Sequence, residues 1–200
     1  MSTPEALQVA GAVVVAFLVG AVNPATLIAR VLGHDLSATG SGNPGATNAG
    51  RVLGPRWGVL VGLLDVLKGL LPTLGADHWL GAHVAYAVGI AAVAGHIWSP
   101  YLGGRGGKGV ATTLGAVLGV HPWFALVVVV VFAVSVVVAR RVSIGSVCGA
   151  FAMIVLAALV LLGLVAGDLW TGLWLLVLAG VVIWRHQNNI RAWWRQQRMS

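Results

Sequence analysis

Residues 39–51 read TGSGNPGATNAGR, and the fold turns on what this stretch is. Its opening, Gly40-Ser41-Gly42-Asn43-Pro44-Gly45, spells the G-x-G-x-x-G fingerprint of dinucleotide-binding folds, which would make the chain α/β. That fingerprint works only between a strand and a helix of a parallel unit. Here it follows a long apolar run, in a chain with 58% hydrophobic and 8% charged residues. The solvent of such a chain is lipid, where a helix satisfies its own backbone and an open strand cannot. The expectation is therefore an all-α polytopic membrane protein, with one domain over residues 1–200.

Apolar runs occupy 7–32, 58–75, 83–98, 110–120, 123–139, 145–166 and 171–185, which predicts seven transmembrane helices. The fourth is short. Its residues 110–119 would rise only ~15 Å as a helix, about half a hydrocarbon core. It is either a short helix or a re-entrant arm, broken from the fifth by His121-Pro122.

Twelve Lys and Arg stand against five Asp and Glu, a net charge of +7. In a soluble domain that excess would suggest nucleic acid, but here its placement follows topology and no nucleic-acid partner is expected. Alternating sides brings together the 33–57 loop, the 99–109 loop, the 140–144 turn and the C-terminal tail. These hold Arg51, Arg56, Arg105, Lys108, Arg140, Arg141, Arg185, Arg191, Arg195 and Arg198, while Arg30 and Lys68 lie in the adjoining halves of their spans. The opposite ends carry Glu5, Asp77 and Asp168. The positive-inside rule then puts the N-terminus outside and the tail in the cytoplasm. Trp79, Trp123, Trp170 and Trp174 fall at the outer interface; Trp57, Trp98, Trp184, Trp193 and Trp194 fall at the inner one. Met1 to Ala6 has no basic residue and contains Glu5, so the first run reads as a span and not as a signal peptide. Ser2 and Glu5 have capping-box spacing. Cys148, the single cysteine, offers neither a disulfide nor a cysteine metal site, and no metal or cofactor is expected.

Four polar insertions remain to carry chemistry. In the first, 39–51, glycine-rich backbone together with Ser41, Asn43, Thr47, Asn48 and Arg51 can converge on an anion; the alternative is a flexible polar loop. The second, Gly103-Gly-Arg-Gly-Gly-Lys-Gly-Val-Ala-Thr-Thr113, fails as a Walker A loop because Gly109 follows Lys108 and Leu102 stands where the first glycine is needed. Its glycines, Lys108 and the helix start beyond still suit a phosphate, with anionic lipid headgroups as the alternative. In the third, 185–191, His186 and Asn189 share a helix face as the last span leaves the membrane. In the fourth, Asp65 and Lys68 lie inside a span, where they either neutralise each other or serve a substrate. Ser143 and Ser146 either cap the sixth helix or reach the site. His34, His78, His83 and His121 read as structural. His96, which ends the third span, reads equally as a hydrogen-bonding group within the bundle or as a catalytic one.

Taken together, GSGNPGATNAGRVLG at 40–54, GHIWSPYLGGRGGKGVATTLG at 95–115 and HQNNIR at 186–191 closely resemble the three cytoplasmic motifs of the bacterial acyl-phosphate:glycerol-3-phosphate acyltransferase family. DVLKG at 65–69 and RVSIGS at 141–146 extend the similarity, which runs from about residue 20 to 191. The resemblance implies a seven-helix enzyme of the bacterial plasma membrane, its active site facing the cytoplasm. Its expected partners are acyl phosphate, glycerol 3-phosphate and membrane lipid. It also implies that His186, Asn189, Lys108 and Ser41 are catalytic. Gly42, Asn43, Thr47, Asn48, Arg51, Lys68, Gly107 and Ser143 would bind substrate. The chain departs from the family at Asp35-Leu36-Ser37, where a basic residue often follows the Asp, at Gly104, often Phe, and at Asn188, commonly Glu. A rival function from another class is a transporter or binding protein for a phosphorylated metabolite, which would need polar access from both sides of a midplane site.

Overall fold

A computed structural model describes residues 2–197. Arg198, assigned above to the cytoplasmic tail, lies outside the described residues, as do Met1, Met199 and Ser200. The chain forms helices α1 (Thr3–Ala21), α2 (Pro24–Val31), α3 (Ala46–Leu53), α4 (Pro55–Leu80), α5 (Ala82–Ile97), α6 (Val110–Val120), α7 (Pro122–Ala139), α8 (Val142–Leu161), α9 (Leu169–Arg185) and α10 (Gln187–Gln197), with a 3₁₀ turn at Pro100–Leu102.

Every apolar run of the sequence carries helix, but the runs are not equal. Five helical stretches are long and apolar enough to cross a bilayer: Thr3–Val31, Pro55–Leu80, Ala82–Leu102, Pro122–Ala139 and Val142–Leu161. α9 passes that test only together with α10, from which it is bent by 51°. α6, at 11 residues, is a short apolar helix. The first run, read from the sequence as continuous, is broken at Asn23-Pro24. Proline restricts the residue before it to extended backbone, and Asn23 adopts ψ 97° as the cap of α2.

The chain divides into two compact units, Met1–Ala125 and Leu126–Ser200. In the first, α4 packs on α6, α5 and α3, and α1 packs on α5. Lipid gives apolar side chains no reason to leave it, so helices in membranes associate through close backbone approach at small residues. A Cβ on Gly69 of α4 would run into the carbonyl of Thr112 on α6, and one on Gly115 into the carbonyl of Val66. These contacts bring α6 flush against the face of α4 that carries Asp65 and Lys68. His121 behaves as the structural residue expected of it: Nε2 lies 2.9 Å from the Tyr86 hydroxyl, and the ring stacks between Tyr86 and Phe124.

In the second unit α8 packs on α9 and α10 adjoins the end of α9. Asp168 caps α9 by accepting from Thr171 N at 2.8 Å. Ser146 does not cap α8; its hydroxyl donates back to Val142 O at 3.0 Å, and Arg141 occupies the cap position, where its side chain makes no capping bond.

Candidate active site

The first polar loop is folded around one buried amide. Asn48, in the first turn of α3 and 1% exposed, accepts from Ser41 N at 2.8 Å through Oδ1. Its Nδ2 donates to Leu36 O at 3.2 Å and Thr39 O at 3.1 Å. Leu36, the one apolar anchor of the loop, is buried against Ala25, Ala29, Ala49 and Val61. Gly40 has φ +65°, and a Cβ there would strike Asn48 Oδ1, so the turn requires glycine. Asp35 accepts from the hydroxyl of Ser37 at 2.7 Å and from its N–H at 2.8 Å. The hydroxyl bond first, then the backbone one, hold its carboxyl below the usual carboxylate range. Ser41, Gly42, Thr47 and Arg51 are left exposed around this framework, with Asn43 half-buried.

The second loop folds onto the end of α5. Gly104 N donates to Ser99 O at 2.8 Å, Gly106 N to Ile97 O at 3.0 Å and Gly107 N to His96 O at 3.1 Å. A Cβ on Gly107 would collide with the His96 imidazole. Lys108 is half-buried. Gly109, at φ +80°, turns the chain into α6 with no side-chain cap, so the first N–H groups of that helix remain available to an anion. Within the same helix start the hydroxyls of Thr112 and Thr113 are buried without a hydrogen-bond partner.

Between these loops lies a polar cluster inside the helices. Lys68 Nζ is 2.9 Å from Asp65 Oδ1 and donates to Val22 O at 2.7 Å; His96 Nδ1 stands 3.5 Å from the same Asp65 oxygen. Asp65, Lys68 and His96 are 2%, 8% and 4% exposed. Ser99 Oγ donates to Ala21 O at 2.6 Å. Asn23 accepts from Thr26 N at 2.8 Å and donates to Pro44 O at 2.9 Å. Asn23 and Ser99 have no place in the sequence reading, although an Asn-Pro pair within an apolar run was a visible signal for a broken helix. Among the described residues no group of three or more His, Cys, Asp or Glu is placed to hold a metal ion.

Three of the expected catalytic or substrate-binding residues, His186, Asn189 and Ser143, belong to the second unit. His186, 2% exposed, ends α9 with Nδ1 2.8 Å from Val182 O. A carbonyl only accepts, so Nδ1 carries the proton and Nε2 of the neutral ring is the acceptor. Asn189 is exposed on α10, and Ser143 is half-buried in the first turn of α8.

The sequence model of the family described as glycerol-3-phosphate acyltransferase matches residues 10–196. A glycerol-3-phosphate acyltransferase of Geobacter sulfurreducens is 43% identical over 183 residues, covering 88% of this chain and 89% of the relative. Glycerol-3-phosphate acyltransferase 1 of Deinococcus radiodurans is 40% identical over 181 residues, covering 90% and 89%. The crystal structure of PlsY (YgiH), an integral membrane glycerol 3-phosphate acyltransferase, superimposes in its glycerol 3-phosphate form with a TM-score of 0.88 at 35% identity, covering 94% of this chain and 93% of that one. Its lysophosphatidic acid form gives 0.85 over the same coverage. An all-helical membrane protein with these loops, matched to such relatives along nearly its whole length, belongs to the glycerol-3-phosphate acyltransferase family.

Proposed function

We propose that this enzyme transfers a fatty acyl group from acyl phosphate to the 1-hydroxyl of sn-glycerol 3-phosphate. The products are lysophosphatidic acid and inorganic phosphate, in the first step of phospholipid biosynthesis. The glycerol hydroxyl oxygen attacks the acyl carbonyl carbon, the bond from that carbon to the phosphate oxygen breaks, and the departing phosphate takes the hydroxyl proton. The observation that carries the reading is the near-complete match to PlsY, whose structures are glycerol 3-phosphate and lysophosphatidic acid forms. Transport of a phosphorylated metabolite is not favoured by these relatives.

In this reading the phosphates meet the exposed rim of the first loop, Ser41, Gly42, Asn43, Thr47 and Arg51, and the Gly107-Lys108 turn of the second. Backbone N–H groups in glycine-rich turns and a fixed cation are what a phosphate dianion requires. Asn48 contributes by holding the rim. His186 and Asn189 orient the glycerol phosphate, with Lys68 and Ser143 as further members of that set. Seven crossings, an external N-terminus and a site on the cytoplasmic face of the bacterial plasma membrane complete the proposal, with residues 1–200 acting as one acyltransferase domain. The clustering of basic residues in alternate loops supports that orientation.

The test is an assay of the purified protein in lipid nanodiscs with acyl phosphate and glycerol 3-phosphate. Phosphate and lysophosphatidate should appear in equal amounts, and neither should form when one substrate is omitted. Uptake of glycerol 3-phosphate into proteoliposomes without acylation would reverse the assignment.

A further inference from the structure

We propose that Asp65 is a positioning residue that anchors both phosphate loops from beneath, through Lys68 to the first and through His96 to the second. The inference rests on the site reading given above, and adds a residue that touches no substrate.

The first branch begins at the ion pair. Asp65 Oδ1 holds Lys68 Nζ at 2.9 Å, and Nζ donates to Val22 O at 2.7 Å. Val22 is the C-cap of α1, where helix carbonyls lack intrahelical donors and a cation is favourable. The next residue, Asn23, caps α2 and extends its Nδ2 to Pro44 O, between Asn43 and Gly45 of the first loop. The helix break therefore transmits the position of Lys68 to the loop. Ser99, donating to Ala21 O, adds a second side-chain bond at the same joint.

The second branch leaves the same carboxylate oxygen. His96 Nδ1 lies 3.5 Å from it. The His96 carbonyl accepts from Gly107 N, and its ring fills the space a Cβ on Gly107 would need. Lys108 follows directly. Ionisable groups within a membrane helix are costly unless they pair or line a cavity, and a buried pair contributes little to stability compared with apolar packing. Two loops that must hold two phosphates in one geometry give the pair a different use: an error of about 1 Å in such a site can cost about 100-fold in rate.

The test is hydrogen–deuterium exchange of purified protein in nanodiscs, read on peptides 37–48 and 103–110, with steady-state kinetics alongside. Asp65→Asn should raise exchange in both peptides, leave α8 peptides unchanged, and lower kcat/KM by about 100-fold. Asn23→Ala should raise exchange in 37–48 alone, and His96→Asn in 103–110 alone. Asp65→Glu, which keeps the charge, should restore part of the protection. A normal exchange pattern in Asp65→Asn, or loosening of both loops by either branch variant, would overturn the proposal. Should Asp65→Asn fail to fold, the two branch variants still decide it. Exchange needs no turnover, so a failed acyl-phosphate assay would count against the proposed reaction and leave this result standing.

Discussion

Asn48 Oδ1 accepts from the N–H of Ser41, seven residues back, at 2.8 Å, while its Nδ2 spans the carbonyls of Leu36 and Thr39. One side chain thus closes both edges of the turn that presents Ser41, Gly42 and Asn43. Truncation leaves buried backbone groups unpaired, which costs about 1–3 kcal/mol. We expect Asn48→Ala to lower the melting temperature and to reduce turnover together, and Asn48→Asp, which has no donor for the two carbonyls, to do no better. Calorimetry and initial rates on the purified variants check this; unaltered values of both would reject the loop-closing role.

Arg51 and Lys108 test the phosphate rim directly. Each is expected to insert normally as an alanine variant, because Arg51 is exposed and Lys108 half-buried at the edge of α6. Removing a charged hydrogen-bonding partner of a phosphate costs about 2–5 kcal/mol, so most activity should vanish in each. Arg105, which is exposed, should matter less. Near-normal kcat/KM in Lys108→Ala at low substrate would contradict the assignment.

The legible part of this molecule was the part written in periodicity and punctuation. Helix falls within each of the apolar runs, and the His121-Pro122 break and the Ser2–Glu5 capping box stand where the sequence puts them. The break at Asn23-Pro24 is marked by that Asn-Pro pair, but hydropathy alone runs straight across it because both flanks are apolar. The pairing of Asp65 with Lys68 follows from their spacing on one helix, but its extension to Val22 and His96 depends on helices far apart in sequence. Asn48 shows the same limit: residue type marked it as polar and loop-bound, and only the folded turn reveals that its amide is spent on backbone.

The contact of α4 with α6 sets how far the second loop stands from Asp65. A Cβ at Gly69 or Gly115 meets opposing backbone and not a movable side chain, so neither helix can yield without shifting. Overpacking of this kind costs about 1–3 kcal/mol or more. Gly115→Val should lower both expression of folded protein and melting temperature, whereas Gly11→Val, at an exposed position with open space around it, should change neither. Equal melting of the two variants would argue against close packing at this seam.

Orientation is open to chemical labelling. In a Cys148→Ala background, a cysteine replacing Ser2 should react with an impermeant thiol reagent in intact cells, and one replacing Met199 should react only after permeabilisation. The reverse pattern would invert the topology and move both loops to the outer face.

The last expectation concerns the acyl donor and the absence of a conventional base. Soluble-type glycerol-phosphate acyltransferases resemble one another in a His-x-x-x-x-Asp dyad, and no histidine here has an aspartate five residues on. Of the acidic groups assigned to the cytoplasmic half, Asp65 is buried and ion-paired. Asp35 is fully exposed, and its bonds to Ser37 hold the carboxyl low. Its folded-state pKa lies below the unfolded one, so it is ionised throughout the neutral range. Any stability it gives is present above the ordinary Asp pKa and lost as pH falls through the lowered value. It is therefore a poor proton acceptor at neutral pH. In the proposed reaction an acyl phosphate lessens the need for one: as a mixed anhydride it brings its own leaving group, and its phosphate oxygens would take the proton, with Ser41, Arg51 and Lys108 holding them beside the hydroxyl and proximity supplying much of the rate. His186, with Nδ1 tied to Val182 O, would in this reading orient the glycerol phosphate and not abstract the proton. We expect acyl phosphate to be used and acyl-CoA not. Turnover from about pH 6 to 8 should show no steep limb that His186→Ala abolishes. Comparable rates with acyl-CoA, or a single ionisation in that range that disappears in His186→Ala while activity remains, would overturn the substrate-assisted account.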